Sequence, residues 1–510
     1  MFCRVKSGGV LGIDGFLVDV EVDIAPGLPQ FNIVGLPDKA INEAKDRVRS
    51  ALKNIGFQLP AKRITVNLSP SNLRKQGTLY DLPIAIGILK LTGVLDVDED
   101  AVFVGELSLD GKVNPVNGVL PIVLSLKQKG FRKFFVPKEN AKEGAIAQGV
   151  EVFGVSSLEQ LIRFFRGEEN IESEKVDVNA LLSKAFDYSI DLADVKGQYQ
   201  AKRALEISAA GMHNLLLIGP PGAGKSMLAK RIVTILPPLT LEEALEVSKI
   251  YSVAGILKEG LMVHRPFRSP HYTASEVALI GGGSNPMPGE ISLAHRGVLF
   301  LDEMVEFSRR ALESLRQPIE DGYVTVSRVG GRITFPASFI LIGATNPCPC
   351  GNYGNPYKAC TCSLSQIRTY QAKLSGPILD RIDLKVWVEP VEVQDLINPN
   401  VGESSKEVRE RVIKAYQIQR ERFKDSKTKF NAQMTEKEIE KYCVLTASAK
   451  TLLERIMNKL HLSGRSYSKL LKVSRTIADL EGEEKIREDH ISEAIHYRVE
   501  EKLLTFKDGV

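Results

Sequence analysis

The sequence predicts a multidomain α/β protein whose central domain is a parallel sheet covered by helices. With 510 residues, the chain is too long for a single hydrophobic core. Three short apolar runs, typical of strands buried on both faces, are each followed by a polar stretch compatible with a helix. A glycine-rich segment ending in Lys-Ser directly follows the first run. The apolar runs are 215–218, 298–301 and 339–342.

Changes in pattern divide the chain into four segments. The first mixes short strands and helices, and the second is polar and acidic, as linkers often are. The third carries the apolar runs. The fourth is charged and helical, with Leu470, Val473, Ile477 and Leu480 spaced on one helix face. The predicted segments are 1–165, 166–189, 190–395 and 396–510.

Composition restricts the function classes. The formal net charge is only +4, so any surface that binds nucleic acid must be local. No apolar run is long enough to span a bilayer, and the first residues do not form a secretion signal. We therefore expect a cytoplasmic protein with no membrane partner.

The glycine-rich segment predicts a nucleoside triphosphate site. It fits the pattern G-x-x-x-x-G-K-[ST] between a predicted strand and a predicted helix. Glycines let the backbone N–H groups face phosphate oxygens. The lysine reaches the β- and γ-phosphates, and the serine hydroxyl binds Mg²⁺. Its residues are Gly219, Pro220, Pro221, Gly222, Ala223, Gly224, Lys225 and Ser226.

Polar residues at the ends of the next two strands predict hydrolysis of the bound ATP. Asp302 and Glu303 follow the run 298–301, and the carboxyl edge of such a sheet is where ligands bind. We expect Asp302 to hold Mg²⁺ and Glu303 to activate the attacking water. Asn346, after the third run, is placed to contact the γ-phosphate or that water.

The ordered set GPPGAGKS, GVLFLDE, ATNP, LDRID and SGRSYSKLL resembles the magnesium-chelatase-like AAA+ ATPases of the ComM/YifB group. The segments 265–273 and 288–295 strengthen the resemblance, which covers nearly the whole chain. It implies a homo-hexameric ring with ATP bound between subunits. It also implies branch migration of DNA in natural transformation and homologous recombination.

The same resemblance implies roles for single residues. Asn346 corresponds to sensor 1. Arg381 corresponds to the arginine finger, which acts on the neighbouring subunit's ATP, and Arg465 corresponds to sensor 2 in the lid. Val195, Lys196, Gly197 and Gln198 correspond to the segment near the adenine.

The N-terminal segment is similar to the catalytic domain of Lon protease, through residues 105–118 and 136–140. In that domain a lysine serves as the base for a nucleophilic serine. The serine's place falls on Leu79 here, and the lysine's place falls on Leu120. Leucine can fill neither role, so we expect a scaffold or DNA-binding platform and no proteolysis.

Two elements are candidate DNA contacts. Residues 324–335 alternate around a central Gly-Gly, which predicts a hairpin with Arg328 and Arg332 beside its tip. A loop further upstream carries a second basic group. Either could pair with phosphates, although charged tips are usually just solvated. The loop residues are Arg265, Arg268 and His271.

Four of the six cysteines cluster as Cys348-x-Cys350 and Cys360-x-Cys362. Four thiolates can form a closed tetrahedral zinc site. C-x-C spacing is less usual than C-x-x-C, so free thiols remain the alternative. We expect a structural Zn²⁺ that fixes the loop beyond Asn346.

Several functions compete at this stage. A DNA-translocating ATPase leads, and we expect no small-molecule substrate other than ATP. The alternative is the motor subunit of a metal chelatase, which the Lon-like domain disfavours. A regulatory scaffold that uses ATP as a switch is disfavoured by Glu303 and Arg381, and an ATP-dependent protease by Leu79 and Leu120.

Overall fold

The computed structural model describes residues 1–258, 260–283, 286–328, 331–374, 376–390, 402–461 and 463–499. These residues form a mixed-sheet N-terminal part, a central part on a parallel sheet, and a helical C-terminal part. The predicted α/β class, with its parallel central sheet and helical end, is confirmed. Over the same residues, every helix is too short or too polar to traverse a lipid bilayer.

The N-terminal part is built on a seven-stranded sheet in the order β3-β4-β2-β1-β5-β8-β9. Its strands follow the period-two pattern: Val18, Val20 and Val22 of β2 are all fully buried. The N-terminal part as a whole contains the strands β1 Phe2–Leu11, β2 Asp14–Ala25, β3 Gln30–Val34, β4 Arg63–Ser69, β5 Ala101–Phe103, β6 Glu106–Leu107, β7 Val113–Asn114, β8 Lys133–Pro137 and β9 Glu151–Val155.

Helices pack onto this sheet. In the first, the Asp38 side chain caps the N-terminus by accepting from the Ile41 amide, and Ile41, Ala44 and Val48 form the buried face. The helices are α1 Lys39–Asn54, α2 Asp81–Leu91, α3 Val119–Gln128, α4 Ala141–Ala145, α5 Leu158–Phe165 and, in the segment predicted as a linker, α6 Val178–Leu182.

The central part contains a five-stranded sheet in the order β11-β14-β17-β10-β18, and all its neighbouring strands are parallel. The three predicted apolar runs are β10, β14 and β17. Their carboxyl ends therefore meet at one edge. The central part as a whole contains the strands β10 Leu215–Ile218, β11 Phe267–Arg268, β12 Gly281–Gly282, β13 Met287–Pro288, β14 Val298–Leu301, β15 Tyr323–Arg328, β16 Gly331–Pro336, β17 Ile340–Thr345 and β18 Leu384–Trp387.

Nine helices surround the central sheet, and five helices build the described C-terminal part. In α19, Leu470, Val473 and Ile477 are buried, as their spacing predicts. The central helices are α7 Tyr199–Gly211, α8 Lys225–Arg231, α9 Leu241–Val253, α10 Glu276–Ile280, α11 Glu290–Leu293, α12 Arg309–Ser314, α13 Arg316–Asp321, α14 Leu364–Gln371 and α15 Gly376–Leu379. The C-terminal helices are α16 Ser405–Arg422, α17 Glu436–Tyr442, α18 Ala447–Leu460, α19 Gly464–Glu481 and α20 Glu488–Val499.

The segment 166–189 packs against both of its neighbours, unlike a free linker. Ile171 is buried in the N-terminal core, and the Glu174 amide bonds the Val152 carbonyl beside β9. Val178 of α6 is buried in a separate apolar cluster with residues of the central part. Because the segment is mostly polar, its sequence did not predict that Ile171 and Val178 would be buried.

The position that corresponds to the Lon lysine lies in that same cluster. Leu120, at the start of α3, is fully buried with Leu239, Leu261 and Val263 of the central part. Leu79 lies instead in the N-terminal core. Polar contacts reinforce this junction of the two parts, including an ion pair of 2.7 Å or less between Lys249 and Asp14.

We predict that Leu120→Ala destabilises this junction. Removing a buried leucine side chain costs about 2–5 kcal/mol, because the cavity refills only partly. The measurement is the urea midpoint of the full chain. Leu109→Ala is the matched control, since Leu109 is 57% exposed. Equal midpoints for the two variants would contradict the docking role of Leu120.

Candidate functional site

The predicted triphosphate loop connects β10 to α8 at the carboxyl edge of the central sheet. Gly222 and Gly224 have φ angles of +79° and +90°, which glycine adopts without strain. The loop lines a cavity of about 380 Å³ together with the ends of β14 and β17. The lining residues are Pro221, Gly222, Ala223, Gly224, Lys225, Ser226, Met227, Asp302, Glu303, Ala344, Thr345 and Asn346.

Lys225 is buried at the base of this cavity. Its ammonium donates to the carbonyls of Gly219 and Pro220, at 2.7 and 2.9 Å, and to Oδ1 of Asn346 at 3.1 Å. Burial lowers the pKa of Lys225 to about 8, against the opposing pull of Asp302 and Glu303. The two predicted residues Lys225 and Asn346 are therefore in direct contact.

The two predicted magnesium ligands are also in contact. The Ser226 hydroxyl donates to Oδ2 of Asp302 at 2.7 Å, and the Glu303 amide donates to Oδ1 at 3.0 Å. A hydroxyl beside a carboxylate is an oxygen donor set that suits Mg²⁺. These residues thus fit the ion that a nucleotide would bring.

Glu303 is exposed to the cavity, and its backbone is unusual. Its φ angle is +51°, a region that costs a non-glycine residue about 1–3 kcal/mol and occurs often at functional sites. Asp302 accepts a hydrogen bond from Ser226, whereas the Glu303 side chain is exposed. The two adjacent carboxylates consequently have different environments, as different roles require.

The segment predicted to lie near the adenine is joined to the phosphate loop through its last residue, Gln198. Gln198 donates through Nε2 to the carbonyls of Ala223 and Glu389, at 3.3 and 2.6 Å. Val195 is buried, and Gly197 has a φ angle of +59°. The contact from Gln198 to Ala223 holds 195–198 beside the phosphate loop.

Arg381 and Arg465 lie elsewhere, together, in a second cavity of about 720 Å³. Asn214 and Ser338 also line it, and they precede β10 and β17. This cavity therefore opens at the amino edge of the sheet, opposite the phosphate loop. Arg381 pairs with Glu320 and donates to the Pro377 carbonyl at 2.6 Å. Neither arginine lines the triphosphate cavity of its own chain.

Asn214 joins the Arg381 segment to β17 at the amino edge, and sequence reasoning did not single it out. Its Nδ2 donates to the Arg381 carbonyl at 3.0 Å, and its Oδ1 accepts from the Leu341 amide at 2.8 Å. Leu341 belongs to β17, which ends one residue before Asn346. One amide side chain thus joins the segment of Arg381 to the strand that carries Asn346.

Asp383 attaches the C-terminal helices to the same place. Lys469 of α19 pairs with it at 2.9 Å, and the Asn214 amide donates to its Oδ2 at 3.1 Å. Burial alone would raise the pKa of Asp383, but Lys469 and His213 outweigh it and lower the pKa. Asp383 is therefore held as a carboxylate, and its charge ties the helical part to the segment that contains Arg381.

The four clustered cysteines come together directly after Asn346. Three sulfur pairs lie 3.4–3.7 Å apart, and all four sulfurs lie within 4.8 Å of one another. A tetrahedral site with Zn–S bonds of about 2.3 Å has sulfurs about 3.8 Å apart. The amides of Cys350 and Tyr353 donate to Cys362 and Cys348, at 3.4 and 3.3 Å. The donor set fits zinc.

The predicted hairpin exists: β15 and β16 are antiparallel, and Arg328 pairs with Gly331. Val329, Gly330 and the Arg328 side chain lie outside the described residues. Arg332 is exposed on β16, near the end of the hairpin. Of the two hairpin arginines, Arg332 is the one whose side chain the structure describes, and it is exposed.

The structure corrects the expectation for the upstream loop. Arg265 is only 4% exposed; it donates to the carbonyls of Pro237 and Arg296 and pairs with Glu243, so it is structural. Arg268 is engaged by Glu290 at 2.6 and 2.7 Å. Only His271 is exposed, beside Tyr272.

Comparisons with known proteins agree with this architecture. Family profiles match three stretches: "Subunit ChlI of Mg-chelatase" at 20–140, "Magnesium chelatase, subunit ChlI" at 191–396 and "Magnesium chelatase, subunit ChlI C-terminal" at 402–498. Lon protease 2 of Bacillus subtilis is 24% identical over 29% of this chain and 30% of its own.

Two relatives match from end to end. Competence protein ComM of Haemophilus influenzae is 45% identical over 98% of both chains. YifB of Escherichia coli is 43% identical over 98% of this chain and 97% of its own. With its phosphate loop, acidic strand end and helical C-terminal part, the chain belongs to the ComM/YifB family of magnesium-chelatase-like AAA+ ATPases.

Proposed function

We propose that this protein is an ATP-driven ring motor that moves branched DNA, driving branch migration in natural transformation and homologous recombination. The observation that carries the proposal is the separation of Lys225 and Arg381 onto opposite edges of one sheet. An ATP site completed by a neighbouring subunit is the arrangement of a ring motor. The relative named for competence supports the choice of DNA as substrate.

The residues around the first cavity have separate tasks in hydrolysis. Lys225 neutralises the β- and γ-phosphates, and the oxygens of Ser226 and Asp302 would hold the Mg²⁺ that ATP brings. That ion supplies charge stabilisation to the phosphates. Glu303 takes the proton of the attacking water, and Asn346, held by Lys225, orients that water.

Arg381 and Arg465 serve the ATP of the next subunit. Positive charge placed against the transferring phosphoryl group stabilises the charge that develops there. Since both arginines lie at the amino edge, a head-to-tail contact brings them to a neighbour's carboxyl edge, and repetition closes a ring. We propose a homo-hexamer, in keeping with the family.

DNA would contact the hairpin of β15 and β16. Arg332 is exposed on it and free to pair with a phosphate, and Arg328 is the second candidate. The Lon-like part is proposed as a platform without protease activity, because Leu79 and Leu120 are buried in separate apolar clusters.

The alternative is the motor subunit of a metal chelatase, since all three matching profiles carry that name. The N-terminal part does not disfavour a chelatase motor, because a chelatase profile matches 20–140 as well. What favours the DNA motor is a match over 98% of both chains to the ComM relative.

The cysteine cluster is proposed to hold one structural Zn²⁺. Cys348, Cys350, Cys360 and Cys362 each offer one sulfur at a separation that a tetrahedral site requires. The sulfur spacing and the two amide donors support the metal over free thiols.

We predict that strand exchange on a mobile four-way DNA junction requires both Lys225 and Glu303. Lys225→Ala removes the phosphate-binding charge, and Glu303→Gln removes the base while keeping its size. Each should lower DNA-stimulated ATP hydrolysis by at least about a hundredfold and abolish strand exchange. Glu139→Gln, at an exposed N-terminal position, is the control. Wild-type protein that hydrolyses ATP but moves no strand would disprove branch migration.

We also predict that ATP binding takes up a proton in alkaline buffer. Without nucleotide the pKa of Lys225 is about 8, and neighbouring phosphates would raise it. Binding should then take up roughly 0.7 proton at about pH 8.5 and roughly 0.1 at about pH 7. Calorimetry in buffers of different ionisation enthalpy measures the uptake. Equal uptake at the two pH values would contradict this role of Lys225.

A further inference from the structure

The loop that carries the four cysteines leans directly on the phosphate loop. Gly351 has a φ angle of +78°, and a methyl group added there would lie 2.4 Å from Cδ and 2.7 Å from Cγ of Pro221. Only a residue without a side chain allows this approach. Gly351, the residue after Cys350, and Pro221, the third residue of the phosphate loop, therefore pack together.

The same loop contacts the nucleotide edge at two further points. It starts one residue after Asn346, where Gln371 donates through Nε2 to the Pro347 carbonyl at 2.9 Å. A methyl group added to Gly354 would lie 3.2 Å from the ring of Trp387, the last residue of β18. Pro349 lines a third cavity together with Glu303 and Asn346. The loop is thus a wall of the catalytic edge.

Regular secondary structure does not hold this wall in place. Residues 347–363, all of which the structure describes, contain neither helix nor strand. Fixing each residue of such a segment costs about 1–2 kcal/mol in backbone entropy. A cross-link that joins both ends of the loop removes much of that cost from ordering. The four cysteines supply the ligands for such a cross-link, because two of them lie near each end of the loop.

We propose that Zn²⁺ bound by Cys348, Cys350, Cys360 and Cys362 acts as a clamp on the ATP site, so that zinc occupancy sets the affinity for ATP. The inference rests on the zinc site proposed above. With the metal bound, the loop seats Gly351 against Pro221 and holds the backbone that follows Asn346. Without it, the wall loosens and the phosphate loop loses its support.

The first test compares metal content with ATP affinity in the full chain. The double variant Cys360→Ser/Cys362→Ser removes two ligands. The control is Cys3→Ser, because Cys3 is partly buried and lies far from the cysteine cluster in the sequence. We expect about one Zn²⁺ per wild-type and control chain, and loss of it in the double variant. Co²⁺ substitution should give the absorption of a tetrahedral thiolate site. Affinity for a fluorescent ATP analogue should fall about tenfold on loss of the metal.

The second test separates the clamp from the metal site itself. Gly351→Ala keeps every cysteine but forces the methyl group into Pro221, so zinc should stay bound while ATP affinity falls. Gly93→Ala controls for backbone strain, because Gly93 has a φ angle of +75° with nothing within 4 Å of an added methyl. Its ATP affinity should remain that of the wild type.

The outcomes distinguish the two claims. If wild-type protein prepared with ample metal contains no zinc, both the zinc site and the clamp are disproved. If Gly351→Ala holds zinc and its affinity for ATP equals that of Gly93→Ala, the clamp alone is disproved. Because metal content and ATP affinity are measured without DNA, neither result depends on branch migration.

Discussion

The parallel direction of the five central strands is the constraint on which the rest of this structure depends. It gathers the phosphate loop, Asp302 and Asn346 at one edge and leaves Arg381 at the other. Six residues of β17 span about 20 Å, too far for an arginine side chain to reach across. Under the proposed function, a single chain holds the two halves of a catalytic site but cannot bring them together.

Other elements serve this divided arrangement. Asn214 joins the backbone at Arg381 to β17, and Asp383 binds Lys469 of the helical part, so nucleotide-edge strands, arginine segment and lid form one connected body. The N-terminal part contacts the central part through Leu120. The position that the Lon resemblance assigns to the lysine is here an apolar contact between the two parts.

Sequence reasoning succeeded where the signal is local. The phosphate loop, the acidic end of β14 and the hairpin each occupy a continuous stretch with its own pattern. Sequence reasoning failed where the role of a residue depends on its contacts in the tertiary structure. Arg265 has the composition of an exposed basic loop, but Glu243 and several carbonyls bury it. Nothing in the local sequence distinguishes Asn214, whose role comes from its hydrogen bond with the Leu341 amide of the distant strand β17. In the acidic segment 166–189, the two buried apolar residues Ile171 and Val178 are surrounded in sequence by charged residues.

The central claim is that each ATP site is shared between neighbours, and mixing two inactive variants tests it most directly. Lys225→Ala cannot hold ATP but still offers Arg381; Arg381→Ala holds ATP but lacks the arginine. In mixed rings about a quarter of the interfaces combine an intact Lys225 with an intact Arg381. The account predicts that ATP hydrolysis, absent in either variant alone, returns on mixing. A mixture of co-assembled subunits as inactive as its components would contradict it.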